Sequence, residues 1–200
     1  MKLNKTFGRI ATTLVATAML ASLASVPAFA ENVGNSGDVA TNLFTAKLNM
    51  EGAEGAGVPS VTFQYVITDG ASATVGTGDN TLTIRGGDLN EDLTTSVTFS
   101  NTDPGTAYDS DKDGENDGYQ KAVSVNFPAN TFMEPGVYRF NLKQSEITYA
   151  GVTADEVTEY YLDVYVSYKT TDEGVVLPNE PLVISNTMLV SKDATPTYDG

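Results

Sequence analysis

The chain has 200 residues, 26 acidic against 11 basic, for a net charge of -15, and it contains no Cys, His or Trp. That composition excludes disulfides, imidazole or thiolate zinc sites, and any Ser-His-Asp or Cys-His nucleophile system. A surface this acidic is a poor match for nucleic acid and a good one for divalent cations or basic partners.

The first 30 residues read as a secretory leader. Lys2, Lys5 and Arg9 precede the apolar stretch "IATTLVATAMLASLASV", and "PAFA" ends before Glu31, which places cleavage after Ala30. The apolar stretch is too short and too rich in Ala and Thr for a membrane span. The mature chain is thus expected to be exported, secreted or held at the cell surface or cell wall, with no transmembrane segment. Cleavage removes three basic residues and no acidic one, which takes the net charge to -18. Residues 31–42 read as a flexible lead.

From Leu43 the sequence becomes short alternating runs of Val, Ile, Thr, Tyr and Phe broken by Gly, Pro, Asn and Asp, the pattern of strands and turns. Val61, Phe63, Tyr65 and Ile67 share one face, as do Val97 with Phe99, and Val123 with Val125 and Phe127. Further on, Tyr138, Phe140 and Leu142 form another set, then Leu162, Val164, Val166 and Tyr168, and last Leu182, Ile184, Met188 and Val190. Turns are expected at "TDG" (68–70), "RGGD" (85–88), "EPG" (134–136) and "LPNEP" (177–181). The fold class that follows is all-β, a single antiparallel, immunoglobulin-like β-sandwich over residues 43–190, with 191–200 as a tail. One helical turn is expected over 153–159.

Within this pattern, "DSDKDGENDGYQ" (109–120) puts Asp109, Asp111, Asp113, Glu115 and Asp117 within nine positions. Asp109, Asp111, Asp113, Gly114 and Asp117 occupy positions 1, 3, 5, 6 and 9 of a calcium-loop spacing. Glu115 supplies a backbone carbonyl at position 7 and Gln120 stands at position 12. Without flanking helices and with Gln at the twelfth position, the loop is similar to those of thrombospondin type 3 and dockerin repeats. The plain alternative is a solvated acidic loop without an ion.

The run "FPANTFMEPGVYRFNLKQSE" (127–146), with "YYLDVYVSY" and "PLVISNTMLV" after it and "LFTAKLNM" and "VPSVTFQYVI" before it, resembles the isopeptide-linkage domain of streptococcal major pilins, the T-antigen-like shaft subunits of Gram-positive bacteria. The resemblance covers most of residues 43–190 in order. It implies a surface spacer or adhesion module whose partners are other pilus or surface-protein subunits. It also implies an amide between Lys47 on the first strand and Asn186 on the last, formed with help from a nearby acid. The family's acid position holds Gln144, which leaves Glu146 as the substitute. By alternation Asn186 joins the inward set of Ile184 and Met188, while Lys47 has the opposite parity to Phe44, Ala46, Leu48 and Met50. The family's sorting signal has no counterpart in "LPNEP", so the chain is either a piece of a longer surface protein or anchored by another route.

A secreted carbohydrate-binding or host-ligand-binding sandwich with a structural calcium is the competing reading, with Tyr160, Tyr161, Tyr165 and Tyr168 as its aromatic platform. Asp155 and Glu156 are the one acidic pair an enzyme reading could use, and nothing pairs them with a second acid at hydrolase spacing. The chain is read as a non-enzyme.

Overall fold

The computed structural model describes residues 10–13, 39–50, 56–76, 81–109, 112–147, 149, 151–154 and 158–192. The strands in chain order are β1 (Ile10–Thr13), β2 (Val39–Asn49), β3 (Val61–Thr68), β4 (Ala73–Val75), β5 (Leu82–Gly86) and β6 (Leu93–Phe99). There follow β7 (Thr106–Tyr108), β8 (Gly118–Asn126), β9 (Gly136–Gln144), β10 (Val152–Thr153), β11 (Glu159–Tyr168) and β12 (Leu182–Ser191). Two sheets form, one ordered β10-β1-β2-β8-β7 and the other β12-β11-β9-β3-β6, with β5 added to β9 beside β3 and β4 added to β5. The chain is an all-β sandwich. Most pairings are antiparallel as expected, but β5 runs parallel to β9 and β1 parallel to β10.

Alternation decides which side chains fill the space between the sheets. In β3 the residues Val61, Phe63, Tyr65 and Ile67 are all buried, while Thr62 and Gln64 are exposed. Val123 and Val125 of β8, with Phe127 just beyond it, face them from the other sheet, and Phe140, Leu142, Leu162 and Val164 complete the layer. Aromatic rings meet edge to face at its ends: Phe44 lies 5.0 Å from Tyr65, and Phe132 lies 5.1 Å from both Phe127 and Tyr138. Such pairs add to simple area burial through the ring quadrupoles.

Four local expectations need correcting. The "RGGD" glycines do not make a turn; β5 runs through Gly86, and Gly87 continues along β9 by donating to the Arg139 carbonyl at 2.7 Å. A Cβ on Gly87 would lie 2.2 Å from the Phe140 ring, so glycine is required there by close approach. No helical turn spans 153–159, since Val152–Thr153 form β10 and Glu159 opens β11, with 155–157 outside the described residues. The sheet also begins earlier than position 43, at Val39, and Ile10–Thr13, within the expected leader, form a strand on it. At the other end, β12 takes in Ser191 of the expected tail, and residues 193–200 lie outside the described set.

The fourth correction concerns the last strand. Tyr165 pairs with Asn186, whereas Val166 pairs with Ile184, so Ser185 is an extra residue at a β-bulge. One inserted residue flips every side chain beyond it to the other face. Leu182 and Ile184 point inward as expected. Past the bulge, Thr187 and Leu189 take over the inward positions, opposite Val164 and Leu162, and Asn186, Met188 and Val190 turn outward.

Candidate functional site

The acidic loop closes the hairpin between β7 and β8, whose register is Thr106 with Gln120, Ala107 with Tyr119 and Tyr108 with Gly118. Its fold is organised around the first carboxylate. The backbone amides of Lys112 and Gly114 donate to the two oxygens of Asp109 at 2.6 and 2.9 Å, and the amide of Glu115 donates to Asp113 at 2.8 Å. Lys112 and Gly114 have φ of 63° and 93°, the left-handed turn that Gly at position 6 permits. The Asp117 amide returns to the Tyr108 carbonyl at 3.0 Å, and the Asp117 carbonyl accepts from Met50 at 2.7 Å, which ties the loop's exit to the end of β2.

Each Asp109 oxygen keeps a second lone pair after accepting its amide. Asp109, Asp113, Asp117 and the Glu115 carbonyl are therefore hard oxygen donors on a preformed turn, the set calcium takes. Among the described residues no group of three acidic side chains converges on one point, and Asp111 lies outside those residues. Gln120 sits inside β8, paired with Thr106 and Lys47.

Lys47 belongs to the neighbourhood of this loop. It is on the outward face of β2, as its parity demands, and its Nζ stands 4.5 Å over the ring of Tyr108, the residue before Asp109. Asn186 is exposed on the outward face of β12 in the other sheet. The two partners of the implied amide thus project away from the core on different sheets, and the structure does not bring them together. Gln144, at the family's acid position, points into the core, 3% exposed and opposite Tyr65 on β3. Burial, with Tyr160 adding to it, holds the Tyr65 phenol above the usual tyrosine range. Glu146 lies beyond the end of β9 and is exposed.

Where Asn186 was expected, the inward side chain is Thr187, whose hydroxyl donates to the Leu43 carbonyl of β2. First and last long strands are thereby joined across the sandwich by a side chain to backbone hydrogen bond.

Sequence reading missed a buried ion pair. Arg139 of β9 and Asp163 of β11 are cross-strand partners, and Nε and one terminal nitrogen of the guanidinium each donate to a carboxylate oxygen at 2.7 Å. Asp163 is 0% exposed. Tyr161 stacks on the guanidinium at 4.5 Å, and Lys192 reaches the same ring at 5.4 Å. At the edge of this face Glu159 meets Lys143 at 3.0 Å and Lys192 at 3.5 Å; the Lys143 hydrogen bond and charge, then Lys192, hold its carboxyl below the usual range. The available signal was a lone charge in each of "VYRFNL" and "YLDVYV".

The four tyrosines do not form one platform. Tyr160 is buried in the core, Tyr161 and Tyr165 are half-buried on the outward face, and Tyr168 is exposed at the strand end. Asp155 and Glu156 lie outside the described residues, and "LPNEP" lies in the loop joining β11 to β12. Among the described residues no helix is long and apolar enough to cross a membrane. Comparison of the chain with protein-family models, with curated proteins and with solved structures returns no match.

Proposed function

We propose that the chain is an exported, non-enzymatic structural module of a Gram-positive surface or pilus-type assembly, a rigid spacer that joins other surface subunits. The observation that carries this reading is the tie between the first and last long strands, Thr187 to Leu43, across two sheets that share one continuous apolar layer. A domain held at both ends resists being peeled from either. The run that resembles the pilin domain supports the same reading, since residues 136–144 become β9, flanked by β11 on one side and by β3 and β5 on the other.

Calcium is the proposed cofactor. Asp109, Asp111, Asp113, Asp117, the Glu115 carbonyl and Gln120 would hold it, and the ion would offset the mutual repulsion of five carboxylates in nine positions. Because Asp117 is tied to Met50, bracing the loop also braces the end of β2. The Lys47–Asn186 amide is not part of the proposal, because the geometry separates its partners and Gln144 cannot carry a proton as an acid does.

Expression from its own leader in a Gram-positive host tests the reading. Protease applied to intact cells should remove the protein from the cell fraction, and part of it should run as higher-mass assemblies. Protein confined to the cytosol would overturn the proposal.

A further inference from the structure

Strand β1 belongs to the leader sequence, yet it fills a slot in the smaller sheet. Thr12 and Thr13 pair antiparallel with Leu48 and Lys47 of β2, while Ile10 and Ala11 pair in parallel with Val152 and Thr153 of β10. The slot is lined by core, since Leu48 is 0% and Val152 4% exposed. Cleavage after Ala30 takes β1 away. It uncovers the main chain of Lys47 and Leu48 on β2 and, displaced two residues along β1, that of Val152 and Thr153 on β10. Unpaired strand edges recruit other strands.

The mature chain cannot refill the slot from its own lead. In an antiparallel hairpin the numbers of paired residues have a constant sum. The tightest turn before Val39 pairs position 36 with position 39, so the partner of Lys47 would be position 28, which lies in the removed leader. A parallel refill needs a crossover of about a dozen residues, and only positions 31–38 precede β2. An edge strand of a folded sandwich has one free side, whereas the segment that replaces β1 must pair with β10 along one half and with β2 on the other side along the next.

We infer that the processed protein takes up, between β2 and β10, an extended strand supplied by another chain. This inference rests on the exported reading above. The strand that fills the slot here, Ile-Ala-Thr-Thr, defines the chemistry of the partner: a segment of four or more uncharged residues, rich in β-branched types, held by main-chain hydrogen bonds. An acidic arm is disfavoured by the acidic surface of the domain.

The test uses the protein secreted from its own leader. Its intact mass first reports whether cleavage has occurred. The processed protein is then titrated with a synthetic peptide of residues 8–15, GRIATTLV, and hydrogen exchange follows the amides of Lys47, Leu48 and Thr153, since the Val152 amide already donates to the Tyr149 carbonyl. Saturable one-to-one binding that protects these amides is expected. A peptide of the same sequence N-methylated at positions 10–13 should bind about thirtyfold more weakly, the loss of two backbone hydrogen bonds. Equal binding of the two peptides, no binding, or binding that adds no protection at any of these amides would each overturn the inference while leaving the exported reading intact. A mass showing the leader retained would overturn both.

Discussion

Replacing Asp163 by Ala strips the partner from a guanidinium that is itself buried. The two charge-assisted hydrogen bonds, both 2.7 Å, disappear together, and Arg139, itself 6% exposed, is left buried without its carboxylate. Breaking one side of a buried pair costs about 3–5 kcal/mol, because the remaining charge is uncompensated. The Tyr161 ring, 4.5 Å from the guanidinium carbon, is beside the charge in parent and variant alike and so does not offset the loss, and the expected cost is at least about 3 kcal/mol. For a domain of this size that corresponds to a melting temperature about 6–12 °C lower. Urea denaturation is the assay, with an unchanged slope expected so that the midpoint alone moves. The double variant Arg139→Met with Asp163→Leu removes both charges at similar volume and should recover to within about 1 kcal/mol of the parent. If Asp163→Ala costs under about 1 kcal/mol, or the double variant is as unstable as the single, the pair is not the buried interaction described.

Calcium at about 100 times its dissociation constant should stabilise the processed domain by about 2.7 kcal/mol, and Asp109→Asn combined with Asp113→Asn should abolish that gain without unfolding the protein; melting curves indifferent to calcium and chelator would leave a solvated loop. Gln144→Glu places a carboxyl in the core, where burial raises its folded pKa above the ordinary value near 4.3. Its unfolded form then loses its proton first, so the variant's deficit in stability should grow as pH rises above about 4.3, as pH-dependent urea midpoints would show. The intact mass of the processed protein should equal its unmodified sequence, because Lys47 and Asn186 face outward on different sheets; a mass short by one ammonia that is restored by Asn186→Ala would contradict that placement.

Alternation carried most of the fold. The inward residues of β3, β8, β9 and β11 follow the period of two, because each strand has one apolar side to bury. What alternation could not supply was register. Nothing in "LVISNTMLV" marks Ser185 as an extra residue, yet the bulge there reverses Asn186 and brings Thr187 to Leu43. Gly86 and Gly87 read as a turn because glycine serves both turns and close approach, and only the position of the Phe140 ring separates the two uses. The sequence does not mark Arg139 and Asp163 as a pair, since burial on the outward face depends on neighbours distant in sequence. The acidic loop was the most legible part of the site, because its turn is local: Asp109 gathers the amides of Lys112 and Gly114 within five residues.

The proposed spacer role is tested most directly by pulling a single processed domain apart from positions 43 and 190. With β2 and β12 joined through Thr187, the 148 residues between those points should release about 500 Å of contour in one cooperative rupture. Thr187→Val, which keeps the shape and removes the hydroxyl, should lower the rupture force. Stepwise lengthening in small increments from the β12 end, unaffected by that substitution, would contradict a structural role built on the tie between first and last strands.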